Sequence, residues 1–172
     1  MNGQIVVQSV YGKGSKFTVA IDQKIVENPT MTVEKTQVSS PKILNLLGKK
    51  ILIVDDNKIN LKVASRLLKD YNCQIETVES GFETIEKIKS GNRYDLILMD
   101  DMMPKMSGVE TLKQLKTLTN FNIPTIALTA NAISGMREKY LQEGFHDYLS
   151  KPIDKTELYR VLVKFLQQDE IL

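Results

Sequence analysis

Apolar positions change their period along this chain, and the change divides it. Residues 4–9 (QIVVQS) and 16–21 (KFTVAI) are β-branched and partly alternating, with Gly12 and Gly14 between them, which predicts a β-hairpin. The G-K-G-S turn lacks both the Gly-Lys-Ser/Thr ending and the following helix of a phosphate-binding loop, so the hairpin reading is preferred. Two strands alone are marginal in water, and this hairpin is expected to join a larger sheet. Residues 27–48 hold Pro29, Pro41 and a Ser/Thr-rich middle. They read as a linker, with 43–47 docking on a neighbour.

From Lys50 onward strands alternate with helices. Residues 51–54 are an unbroken apolar run, as in a parallel strand buried on both faces. A helix is predicted over 58–70, with Val63, Ala64, Leu67, Leu68 and Tyr71 at helical spacing. Strands follow at 74–78, 94–99, 124–128 and 147–150. The intervening helices open on Ser80 with Glu83 and on Ser107 with Glu110, both S-x-x-E capping boxes. A helix over 132–143 and a last one capped by Asp154 and Glu157 complete the pattern. The apolar sides are Val109, Leu112, Leu115 and Leu118 in the third helix, and Leu158, Val161, Leu162 and Phe165 in the last. Five βα units predict an α/β fold with a five-stranded parallel sheet between layers of helices.

Composition narrows the function classes. The 172 residues are 42% hydrophobic and 26% charged, which excludes wholesale disorder and low-complexity sequence. One cysteine and one histidine exclude a disulfide framework and most His/Cys metal centres and favour a reducing, cytoplasmic setting. No apolar run reaches the length of a membrane helix, so no membrane contact is expected. The net charge of +2 separates into +3 over residues 1–49 and −1 over the rest. That surplus is thinly spread and lacks an aromatic cluster, so no nucleic-acid partner is expected.

In open α/β sheets the ligand site lies beyond the carboxyl ends of the strands. Here those ends carry Asp55 and Asp56, Asp100, Thr129 and Lys151. Three clustered carboxylates must take up protons or hold a cation. Oxygen-only ligands suit Mg2+, which shares its open positions with a phosphate. A hydroxyl and an ammonium remain to hold phosphoryl oxygens. The chemistry is attachment of a phosphoryl group to a carboxylate, with Asp100 set apart from the acidic pair as acceptor.

Residues 50–170 resemble the receiver domain of two-component response regulators. The motifs are I-L-I-V-D-D-N, D-L-I-L-M-D-D-M-M-P-K-M-S-G, L-T-A-N-A and Y-L-S-K-P, in family order and spacing. The resemblance implies a flavodoxin-like (βα)5 doubly wound sandwich with strand order 2-1-3-4-5. It implies Asp100 as phosphoacceptor and Mg2+ held by Asp56 directly, by Asp55 mainly through water, by Asp100 and by the Met102 backbone carbonyl. Thr129 and Lys151 would hold the phosphoryl group, Tyr148 would be the switch aromatic, and the Lys151–Pro152 bond would be cis. The phosphohistidine donor would dock on Ile59, Asn60, Val63 and Pro104. It would be a histidine kinase dimerisation domain or a histidine phosphotransfer protein.

The wording D-D-N-K-I-N-L-K-V-A resembles receivers fused to hybrid sensor histidine kinases. M-N-G-Q-I-V-V-Q-S-V-Y-G-K-G-S-K-F-T-V resembles the last hairpin of a histidine kinase ATP-binding domain, with Asn2 replacing one Gly of the pattern. The implied organisation is a hairpin remnant over 1–26, a linker over 27–48 and a receiver over 49–172. The parent kinase is expected to be membrane-anchored. No ATP-binding motif and no phosphorylatable dimerisation helix stands in these 172 residues, so no kinase activity is expected of them.

Other readings attach to single residues. Asp101 is expected as a solvated charge at the loop start, because neighbouring strand residues point oppositely. Met99, Met102, Met103 and Met106 are expected to pack around the loop, Cys73 to be a small core residue, and His146 a surface or packing histidine. Met102 and Asn131 would flank the hydrolytic water, and an apolar Met102 predicts slow self-dephosphorylation. The alternative is a pseudo-receiver that binds partners without phosphorylation, which normally lacks part of the acidic cluster. A haloacid-dehalogenase-type phosphatase would need D-x-D-x-T, which is absent.

Overall fold

A computed structural model describes residues 3–21, 44–130 and 136–167. It forms two compact units, 1–41 and 42–172. In the first, β1 (Gly3–Val10) pairs antiparallel with β2 (Gly14–Ile21). The register sets Ile5 opposite Val19 and Val7 opposite Phe17, so one face of the hairpin is apolar. Gly12 and Gly14 take φ of 74° and 108° in the turn, where a side chain would be strained. Every residue of both strands is exposed.

The second unit contains five strands: β3 (Lys50–Val54), β4 (Gln74–Val78), β5 (Leu96–Asp100), β6 (Thr125–Thr129) and β7 (Asp147–Ser150). All neighbours are parallel, in the order β4-β3-β5-β6-β7. That is 2-1-3-4-5 within the sheet, as the resemblance implies. The helices are α1 (Lys58–Leu68), α2 (Gly81–Lys89), α3 (Gly108–Lys116), α4 (Met136–Glu143) and α5 (Lys155–Leu166).

Strand side chains alternate between the two faces. Ile51, Ile53, Leu96, Leu98, Ile126 and Leu128 meet α1 and α5 through Leu61, Ala64, Leu68, Leu158, Val161, Leu162 and Leu166. Leu52, Val54, Ile97, Met99 and Ala127 meet α2, α3 and α4 through Ile85, Leu112, Leu115 and Tyr140. Both faces are dry, which explains the unbroken apolar runs.

Several details differ from the sequence expectations. Leu44 and Leu46 lie in the core beside α1 and α5, and the Leu46 N–H donates to the Tyr71 carbonyl. The packed unit therefore includes residues upstream of 49: of the stretch 43–47 expected to dock, Leu44 and Leu46 do so, Leu47 is exposed, and Ile43 lies outside the described residues. In α1 the buried residues are Leu61, Ala64 and Leu68, whereas Val63 is exposed. Residues 69–71 tighten into a 3-10 turn that ends on Asn72 in the left-handed region. In α5 the fourth buried position is Leu166, with Phe165 half-buried. Ser107 and Glu110 close a full capping box. At α2 the Glu83 carboxylate accepts instead from the Glu79 N–H, and Ser80 alone caps the helix. Residues 131–135, which include Asn131 and the expected start of the 132–143 helix, lie outside the described residues.

Candidate functional site

Parallel register assembles the rim. Val54 lies opposite Met99 and Asp100 opposite Leu128, while Thr129 lies opposite Ser150. Asp55, Asp100, Thr129 and Lys151 thus leave the sheet at one edge. The Asp55 N–H still donates to the Val78 carbonyl, and the Lys151 N–H to that of Thr129. Asp55, Asp100 and Thr129 are buried, at 1%, 5% and 3% exposure, whereas Asp56 is exposed. Carboxylate oxygens of Asp55, Asp56 and Asp100 lie within 4.8 Å of one another.

One cation holds two of these carboxylates. The Lys151 ammonium lies 2.6 Å from Asp55 Oδ2 and 2.9 Å from Asp100 Oδ1. Asp55 Oδ1 also accepts from the Asn57 N–H at 2.9 Å and the Asn60 amide at 3.0 Å. Asp100 receives a weaker bond from the Met102 N–H at 3.3 Å. Burial pushes the Asp100 carboxyl above its usual range, and neighbouring Asp55 adds to this. Lys151 and the Met102 N–H oppose the rise without reversing it. Burial alone would lower the Lys151 ammonium, but Asp55 and Asp100 outweigh it and hold its pKa above the usual lysine value.

The expected rim residues therefore meet, and several neighbours differ from expectation. Asp101 is half-buried and accepts the Tyr140 hydroxyl at 2.8 Å, so it is not a solvated charge. Met99, Met103 and Met106 are buried, but Met102 is 76% exposed. Ile59, Val63 and Pro104 are exposed near the rim, while Asn60 spends its amide on Asp55. Tyr148 is half-buried, its ring stacked on Tyr140 at 6.4 Å and 17°. The Lys151–Pro152 bond is cis.

Sequence reasoning missed Tyr140. The available signal was one large aromatic amid the polar M-R-E-K-Y-L-Q-E of α4. Cys73 is half-buried beside the core. His146 sits at the opposite, amino end of the strands. Its Nδ1 accepts from the Thr125 N–H at 3.1 Å and its ring meets Phe165 edge-on.

Comparison with known proteins agrees with this geometry. The family described as the response regulator receiver domain matches residues 51–163. The autoinducer 2 sensor kinase/phosphatase LuxQ of Vibrio vulnificus is 34% identical over 167 residues, covering 96% of this chain and 19% of that protein. The signal transduction histidine-protein kinase BarA of Escherichia coli is 38% identical over 120 residues, covering 69% of this chain and 13% of that protein. The chain thus spans a fifth or less of these relatives' length. Among solved structures, the receiver domain of a Pseudomonas aeruginosa sensor histidine kinase carries a magnesium ion in its active site cleft. It is 37% identical with a TM-score of 0.62, over 69% of this chain and 98% of that one. The yeast receiver domain of Ssk1, crystallised with the histidine phosphotransfer protein Ypd1, is 26% identical with a TM-score of 0.62, over 71% and 94%. This chain belongs to the response regulator receiver family, and its relatives are hybrid histidine kinases of two-component phosphorelays.

Proposed function

We propose that this chain accepts a phosphoryl group from a phosphohistidine onto Asp100 and passes the change to its surface, as the receiver of a hybrid sensor kinase. The observation that carries the reading is the buried Asp100 carboxylate held 2.9 Å from the Lys151 ammonium, with two further carboxylates within 4.8 Å. In the transfer, the donor's P–N bond breaks as a bond forms between phosphorus and an Asp100 oxygen. The released electron pair returns to the imidazole nitrogen. Such a step needs positioning and charge stabilisation more than covalent chemistry.

The donor set fits Mg2+: it is all oxygen, one carboxylate is exposed, and the single charge of Lys151 leaves the three carboxylates with a net negative charge for a cation to offset. Asp55, Asp56, Asp100 and the Met102 carbonyl would hold the ion. When bound, it would neutralise charge on the phosphoryl oxygens. Lys151 would turn its point charge, and Thr129 its hydroxyl, to the phosphoryl group. Tyr148 would follow Thr129 and change the surface made by α4 and β7.

The donor would be a dimerisation domain or a phosphotransfer protein docking on Ile59, Val63 and Pro104, with Asn60 behind them at the rim. The Ypd1 complex of a related receiver supports this class of partner. The hairpin would be the end of a kinase ATP-binding domain and 27–48 its linker, a reading supported by the LuxQ similarity extending over 96% of the chain. A membrane anchor would belong to the parent kinase, since among the described residues no helix is long and apolar enough to cross a membrane.

The test is labelling by a small acyl phosphate in Mg2+, read by intact mass. The unmodified chain should gain one phosphoryl group and Asp100→Asn none. Labelling retained in Asp100→Asn rejects the acceptor assignment. An unmodified chain that never labels favours a pseudo-receiver.

A further inference from the structure

The helix α4 is seated differently from the other four. Each of those buries three or four of its residues, whereas α4 buries one, Tyr140, with Met136 half-buried. Among the described residues its ion pairs lie at its ends, Arg137 with Asp147 at 3.6 Å and Glu143 with Lys113 at 2.7 Å. The cations of both pairs are more than half exposed, so these ties are weak. The middle of α4 therefore rests on one ring, edge-on against Phe145 at 5.6 Å and stacked on Tyr148 at 6.4 Å.

The hydroxyl of that ring donates to Asp101 Oδ2 at 2.8 Å. Asp101 directly follows the acceptor, and its backbone is held on both sides. Its N–H donates to the Leu128 carbonyl of β6, and its carbonyl accepts the Gly108 N–H of α3. The Tyr140 hydrogen bond thus joins the one buried side chain of α4 to a fixed point beside Asp100. Burial raises the pKa of the phenol, and the charges of Asp101 and Asp100 add to this, so the hydroxyl remains a donor. Hydrogen bonds to a carboxylate are stronger than those between neutral groups. A phosphoryl group on Asp100 places new negative charge one residue away from this bond.

We propose that Tyr140 is a positioning residue that couples α4 to the acceptor loop through Asp101, so that a phosphoryl group on Asp100 changes the seat of α4. The proposal rests on the phosphoacceptor reading above. The route runs from the loop that follows β5 straight into the middle of α4, across one hydrogen bond.

The experiment adds beryllofluoride, a phosphoryl mimic, to the full chain in saturating Mg2+ and follows backbone amides by NMR. One group, residues 55–57 and 100–102, reports the rim; the other, residues 136–143, reports α4. Both should shift in the unmodified chain. Tyr140→Phe keeps the ring and its aromatic contacts and removes the hydroxyl. Its α4 response should fall at least about twofold while the rim still saturates. Asp101→Ala should lose as much, and the double variant no more than either alone. A tyrosine that only packs would leave the α4 response of Tyr140→Phe in place, which overturns the proposal, as do losses that add in the double variant. A second measurement needs no variant. In the unmodified chain labelled at tyrosine Cζ, the Tyr140 signal should shift with beryllofluoride; an unmoved signal overturns the proposal even if the variants fail to fold. Rim amides that do not move in the unmodified chain reject the phosphoacceptor reading and the proposal together, whereas rim amides that move beside an unmoved α4 overturn the proposal alone.

Discussion

Lys151 bonds two carboxylates that are almost wholly out of water, so its removal leaves Asp55 and Asp100 facing each other without a counter-charge. Breaking such a pair from one side is costly, because the remaining charge stays buried. Lys151→Ala should lose about 3 kcal/mol of stability in urea unfolding at pH 7 with chelator present. Added Mg2+ should narrow that gap, and a loss equal with and without the metal would argue against a cation site. Asp147 is a third buried carboxylate, 2.9 Å from both Arg160 and Lys164 and 3.6 Å from Arg137. Burial alone would raise its pKa, but Arg160, Lys164 and the Tyr148 N–H hold it down, from 3.8 to about 2. A depressed folded-state pKa stabilises above the unfolded value and is lost as pH falls through the folded one. Asp147→Asn should therefore cost about 1–2 kcal/mol at pH 7, allowing for its solvent-screened partners, and the difference should shrink between pH 4 and 2. A constant difference would assign the cost to packing. At this scale the rim was legible because each member ends a strand of clear pattern. The Asp101–Tyr140 pair was not, because its partners lie 39 residues apart and α4 is too polar to announce a buried face.

The element that fixes the acceptor loop is the start of α3. The Ser107 and Glu110 side chains each accept the other's backbone N–H, and Gly108 follows with its N–H on the Asp101 carbonyl. A Cβ on Gly108 would lie 2.4 Å from the Asp100 carbonyl oxygen, closer than any side chain tolerates. Gly108→Ala should cost about 2–3 kcal/mol and weaken Mg2+ binding, because the strain falls on Asp100 itself. Ser107→Ala should cost about 1 kcal/mol and leave Mg2+ binding unchanged. Calorimetry on both variants separates the two effects, and equal Mg2+ affinities would show that the loop absorbs the methyl group. Helix and strand existence followed from period and caps, while edges slipped by one or two residues. β5 begins at Leu96 and not at 94, because the Asp95 carboxylate takes the Lys50 N–H and Tyr94 turns its hydroxyl to Glu76. In α1, Val63 shares the helical spacing of the apolar residues but is exposed, because Leu61 takes the wall instead. Two such faces differ by little in a helix whose first turn is half polar.

At the level of the whole molecule, the unit 42–172 buries both faces of its sheet with its own residues. Produced alone, it should unfold in one cooperative transition and keep its Mg2+ response; a broad, non-cooperative loss would contradict this. A peptide of residues 3–21 should be unstructured by circular dichroism, since two strands bury too little apolar surface to hold themselves. The single histidine gives this unit an intrinsic reporter. Because His146 Nδ1 accepts from the first amide of β6, its imidazole must be neutral there, and burial lowers its pKa, with Lys116 adding to the effect. One uncrowded imidazole resonance, followed without any label while the rim is titrated, would show whether events at the carboxyl ends of β6 and β7 are transmitted along the strands to their amino ends.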